Sequence, residues 1–120
     1  MSLSVYLTRE KWVSYDQGET WVTENEELYW GNITHNLGKM AREAGIYEVL
    51  WRPEELGITK ASEVAEKLES GVWRLRESPE YFSRYNSPNG WGTYDGLLKF
   101  VSEYLEACKK FPEAKVEADR

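Results

Sequence analysis

The chain's 120 residues suffice for one domain with a single hydrophobic core that needs neither disulfide nor metal to hold it. With 41% apolar and 30% charged residues it reads as a folded globular domain, which excludes a disordered chain. A formal net charge of −6, with acids and bases interleaved along the helical segments, argues against both general nucleic-acid binding and DNA mimicry.

In chain order, Leu3, Val5 and Leu7 alternate with Ser4, Tyr6 and Thr8, the period of a half-buried strand. Two further β-prone runs, Trp12–Tyr15 and Thr20–Thr23, flank the turn-forming Asp16-Gln17-Gly18-Glu19 and predict a hairpin. Glu27–Trp30 reads as another short strand, stopped by Gly31. Leu37, Met40, Ala41 and Ala44 then recur at helical spacing. Thr34 or Asn36 serves as N-cap, and Gly45 follows the end. Gly38 within that helix costs about 1 kcal/mol against Ala, which suggests that another backbone or a ligand comes close.

Ile46–Trp51 fits either a strand or an irregular apolar segment, and Pro53–Leu56 forms one helical turn closed by Gly57. Thr59 caps an amphipathic helix carrying Ala61, Val64, Ala65, Leu68, Val72 and Leu75. Ser78-Pro79 starts a short helix through Tyr81 and Phe82. After a turn at Ser87–Gly90, Thr93 caps the last helix, whose apolar stripe is Leu97, Leu98, Val101, Tyr104, Leu105 and Cys108. Pro112 ends it, and alternating Ala114, Val116 and Ala118 predict a final strand beside the first. The expectation is one α+β domain over 1–120, with an antiparallel or mixed sheet packed against three or four helices.

Chemistry-bearing residues gather in two stretches. The first, Trp30 to Asn36, holds Asn32, Thr34 and His35, the chain's one histidine. The second, Asn86 to Thr93, holds Asn89 and Trp91. Amides that donate and accept, flat indoles and two helix starts would suit a small polar ligand with a planar or anionic part. A nucleotide is one such ligand. The proposed ligand-binding set is therefore Trp30, Asn32, Thr34, His35, Asn36, Asn89 and Trp91, gathered around one hollow. The competing reading is structural: Asn and Gly make turns and caps while Trp covers the edge of the core.

No catalytic residue set is assigned and no cofactor is expected, since phosphate loop, dinucleotide fingerprint and nucleophile elbow are all missing from the sequence. One His and one Cys cannot build a common zinc site, so no metal is expected. Cys108 reads as a small core residue. Neither a membrane-span pattern nor a signal-peptide pattern is seen, which predicts a cytoplasmic protein without membrane partners. Two alternatives to a ligand-binding module remain. One is a protein-interaction module anchored by exposed Trp and Tyr; the other is an enzyme using His35 as general base beside a carboxylate.

The segment Gly31-Asn32-Ile33-Thr34-His35-Asn36-Leu37-Gly38-Lys39-Met40-Ala41 is followed by Ala44–Tyr47 and Leu50–Pro53, then Pro88-Asn89-Gly90-Trp91-Gly92-Thr93-Tyr94 and Tyr104–Pro112. In these motifs the chain resembles a family of short uncharacterised bacterial and bacteriophage proteins. That family brings no activity, cofactor or catalytic residue with it. The resemblance implies a bacterial or phage-encoded accessory protein.

Overall fold

The computed structural model describes residues 2–120. Three strands, β1 (Ser2–Val13), β2 (Val22–Thr34) and β3 (Lys115–Asp119), form an antiparallel sheet in the order β2-β1-β3. Between β2 and β3 run α1 (Gly38–Glu43), α2 (Tyr47–Trp51), α3 (Ala61–Glu77), α4 (Pro79–Ser83) and α5 (Tyr94–Lys110), with 3-10 turns at His35–Leu37 and Pro53–Leu56. The fold is α+β.

The predicted alternation decides which sheet face is covered. Leu3, Val5 and Leu7 are fully buried, and with Ile33 they meet the apolar stripes of α3 and α5. Tyr104 sits at the centre of that contact, wholly enclosed and stacked on Tyr29 at 5.8 Å between ring centroids. Thr93 caps α5 as expected, its hydroxyl accepting from the Gly96 N–H at 3.2 Å. β3 pairs with residues 4–8 of β1, which brings the two ends of the chain into one sheet.

Three expectations need correction. Gly31 does not stop a strand. β2 runs through it to Thr34, and Gly31 is opposite Val5. A Cβ there would come within 3.0 Å of both the Phe100 ring and the Tyr29 hydroxyl, so the glycine admits the close approach of α5. The separate β runs before residue 31 merge into two long strands with one register shift at Leu7/Thr8. Tyr47–Trp51 is neither strand nor irregular but the single helical stretch α2, with Val49, Leu50 and Trp51 all inside the core.

The cap of α3 also differs in detail. Lys60 occupies the cap position, while the Glu63 carboxylate accepts from the N–H groups of Thr59 and Lys60, each at 3.0 Å, and from the Thr59 hydroxyl. These bonds hold the Glu63 carboxyl below its ordinary pKa, the Thr59 N–H acting most strongly.

The α1–α2 corner is fixed on α3 by an unusually close contact. Gly45 closes α1 at φ 77°, and the Ala44 carbonyl accepts from the Arg74 guanidinium at 3.0 Å. A Cβ at Gly71 would lie 2.0 Å from Ile46 Cγ2 and 3.3 Å from the Ala44 carbonyl oxygen. Glycine in the middle of α3 lets this corner sink against the helix, and the corner carries the residues described next.

Candidate functional site

The two stretches singled out in the sequence do become neighbours, side chains of the first meeting the backbone of the second. The Asn36 amide donates to the Trp91 carbonyl at 2.8 Å, fifty-five residues away in the chain. Gly92, at φ 113°, packs where a side chain would press on Asn36 and Thr34. The other amides also serve the loop. Asn89 accepts from the Trp91 N–H and Asn86 from the Tyr94 N–H, and Thr34 accepts from the Asn36 N–H. These residues build the junction and hold it together.

They do not line one hollow. Trp30 and Asn32 border a separate, shallow cleft of about 270 Å³ between β2 and α5, with Lys99 and Glu103. The Asn32 amide nitrogen is directed at Ser2, Leu3 and Ser4 of β1. Trp91 stands 69% exposed beside the junction. The shared Trp30–Trp91 cleft of the sequence reading is not formed: Trp30 and Asn32 lie on the exposed strand face, opposite buried Gly31 and Ile33, the Asn32 amide is used by β1, and Asn36, Asn86 and Asn89 are used by the junction.

His35 and Asn36 open instead onto a cavity of about 520 Å³ on the far side of the junction. Its other walls are Gly38, Lys39 and Arg42 of α1, Tyr47 and Trp51 of α2, then Arg52 and Arg120. Four permanently cationic side chains and one imidazole face a space whose lining, among the described residues, contains no carboxylate. In a chain of net charge −6 this is a local reversal of sign.

Each cation is placed by the fold. Lys39 and Arg42 are one helical turn apart on α1. The Arg42 guanidinium lies over the Tyr47 ring at 3.9 Å, and Tyr47 stacks on Trp51 at 5.0 Å. Arg52 is held by Glu55 at 2.9 Å; that carboxylate, then the Tyr47 hydroxyl, pushes its pKa above the ordinary arginine value. Arg120 donates to the Trp51 carbonyl at 2.8 Å and also pairs with Glu54, whose carboxyl is lowered by that bond. Arg120 thus ties β3 to α2 and completes the cavity wall.

His35 meets Trp51 edge-on at 6.2 Å between ring centroids. Its Nε2 is buried and has no hydrogen-bond partner in the protein. A buried ring nitrogen without a partner carries a desolvation cost of about 1–3 kcal/mol until something bonds to it.

The sequence reading found His35 and Asn36 but missed Lys39, Arg42, Arg52 and Arg120. Lys39 and Arg42 carried a signal, since both share the His35 side of a short helix. Arg120 carried none, because nothing local links it to residue 51. The structure also contains a larger hollow, about 610 Å³, near β3; it is lined by Glu54, Glu117 and Asp119 and has the opposite sign. Among the described residues no cluster of His, Cys, Asp and Glu is arranged to hold a metal ion, and no helix is long and apolar enough to cross a membrane.

Compared with protein-family models, curated proteins and solved structures, the chain has no significant match, so class and site rest on its own geometry.

Proposed function

We propose that the protein is a non-enzymatic binding module whose cavity, walled by His35, Lys39, Arg42 and Arg52 with Arg120, takes a small anionic ligand. The observation that carries this reading is a cluster of cations around one hollow without a lining carboxylate. Arg52 and Arg120 are already paired with Glu55 and Glu54, whereas Lys39 and Arg42 have no carboxylate partner among the described residues, and the Arg42 guanidinium fork matches phosphate and carboxylate oxygens.

The aromatic walls refine the ligand. Tyr47 is already engaged by the Arg42 guanidinium and by the Trp51 ring. The aromatic pair therefore serves to orient Arg42 more than to stack a base, and the phosphate part of a nucleotide-like ligand is what this site would recognise. The general-base alternative lacks the carboxylate that would orient His35: none lines the cavity among the described residues. The resemblance to bacterial and phage proteins fits a cytoplasmic accessory protein that captures a phosphorylated metabolite or signal.

Isothermal titration with inorganic phosphate, pyrophosphate and a nucleoside monophosphate tests the reading, with Trp fluorescence followed in parallel because Trp51 lines the cavity. Pyrophosphate or the nucleotide should bind, and Arg42→Gln or Lys39→Gln should weaken it by about tenfold each, the worth of one charge-assisted contact. Silence from all three anions, or full affinity in both variants, would refute it.

A further inference from the structure

Beyond the end of β3, β1 and β2 leave the body as a two-stranded arm. β3 pairs with β1 only as far as Thr8, whereas β1 and β2 stay paired out to Val13 and Val22. The arm accounts for an elongated molecule of 59 × 27 × 22 Å. Isolated hairpins are marginal in water, so an extended one with bare edges needs a reason to exist.

Its chemistry is uniform. Trp12, Tyr15 and Trp21 are 67%, 80% and 56% exposed, three large rings at the outer end of one hairpin. Between residues 8 and 28 the acids are Glu10, Asp16, Glu19, Glu24, Glu26 and Glu27, against only Arg9 and Lys11. The Arg9 charge is taken up by Glu26 at 2.9 Å. Most of the chain's net negative charge therefore sits on the arm.

The tip is also set in advance of any contact. Asp16 accepts from the Thr20 N–H and hydroxyl and from the Ser14 hydroxyl, while Ser14 accepts from the Gly18 N–H at 2.8 Å. The Tyr15 hydroxyl donates to Glu24 across the strands. A tip fixed in this way loses little conformational freedom on binding.

We infer that the arm is a docking element for a basic protein segment, its exposed rings receiving arginine or lysine side chains while the surrounding carboxylates supply complementary charge. Indoles and phenols attract guanidinium and ammonium groups over their faces, and they anchor interfaces out of proportion to their number. Carboxylates around the rings steer a cationic partner and repel an acidic one. The same charge counts against a second copy of this chain, because two arms brought edge to edge would oppose like charges. This inference is independent of the anion cavity.

The test uses two twelve-residue peptides, one alternating Arg with Leu and one alternating Glu with Leu, titrated into the full chain with indole N–H resonances observed. The Arg peptide should shift the Trp12 and Trp21 signals, with binding the same in excess phosphate as in sodium chloride of equal ionic strength. Its affinity should fall at least tenfold in Trp12→Ala/Trp21→Ala. Glu10→Gln/Glu27→Gln should keep the indole shifts but flatten the dependence on salt. Equal binding of the Glu peptide, unmoved indole signals, or full affinity in the tryptophan double variant would each overturn the assignment. So would a dimer in sedimentation that the tryptophan double variant dissolves, since the occupant would then be a second copy.

Discussion

Replacing Gly71 by alanine isolates the contact on which the cavity's position depends. Alanine is the better helix former, and in a helix interior the exchange alone should stabilise by about 1 kcal/mol. The geometry opposes it. The new Cβ would lie 2.0 Å from Ile46 Cγ2, whereas carbon atoms prefer about 3.5–4.0 Å, so the α1–α2 corner must move outward by more than an ångström. Ile46 is 1% exposed and has little room to turn aside. Overpacking of this kind costs about 1–3 kcal/mol and occasionally more, and the backbone carbonyl of Ala44 at 3.3 Å places this site at the upper end. The expected net loss is about 2 kcal/mol, or a melting temperature lowered by about 8 °C in a domain of this size.

The sign distinguishes packing from propensity, and a double-mutant cycle distinguishes this contact from general damage. Ile46→Ala by itself should cost about 2–4 kcal/mol as a cavity. In that background the clashing methyl is gone, so Gly71→Ala should be neutral or stabilising. Urea denaturation of the four proteins gives the coupling directly, with an expected value of about 2 kcal/mol. A more stable Gly71→Ala single variant, or additive effects in the cycle, would refute the close approach of the corner to α3.

Gly38 lines the cavity beside His35 and Arg42 with a helical backbone at φ −57°, and a Cβ would make ordinary contact with the Tyr47 ring at 3.6 Å. Gly38→Ala should therefore raise stability by about 0.5 kcal/mol in urea denaturation while weakening phosphate binding in calorimetry, because its methyl enters ligand space. Asp16 is lowered to about 2, first by the Thr20 hydroxyl, then by the Thr20 N–H and the Ser14 hydroxyl. A lowered carboxyl favours the ordered tip above its ordinary value of 3.8 and loses that effect as pH falls through about 2; slowed amide exchange at Thr20 should fade over that range and be missing throughout in Asp16→Ala. Burial pushes the Cys108 thiol up to about 12. Its contribution to stability should be complete below its ordinary value of 9.0 and decline as pH rises towards about 12, and a thiol reagent at pH 8 should label it only as fast as the protein unfolds.

Local rules were enough wherever one face of an element is buried. Alternation at Leu3, Val5 and Leu7, the stripe of α5 and the cap at Thr93 all follow from periodicity and capping chemistry, and the structure has them. The terminal strand was legible for the same reason. Gly31 was misread because a glycine inside a strand looks like a stop when the helix that needs the space lies seventy residues away. Tyr47–Trp51 was ambiguous because five residues are too few to show a period and Val49, Leu50 and Trp51 form a continuous buried run.

The site was legible only in part. His35 and Asn36 stand out by residue type and Lys39 and Arg42 follow them at helical spacing, but nothing along the chain joins Arg52 and Arg120 to that group. The abundance of asparagine around it was a misleading cue. Those amides are donors and acceptors for turns, and turn chemistry has the same composition as a polar ligand site.

The sheet order has a consequence for synthesis. The central position belongs to β1, yet one of its edges waits for residues 115–119, more than a hundred positions later. That edge pairing closes nearly the whole chain into a loop, a slow kind of contact to form. While the ribosome is still at work, Leu3, Val5 and Leu7 have no shelter until α3 and α5 pack on them, and the β1 edge keeps its backbone N–H and C=O groups unpaired until residues 115–119 reach it.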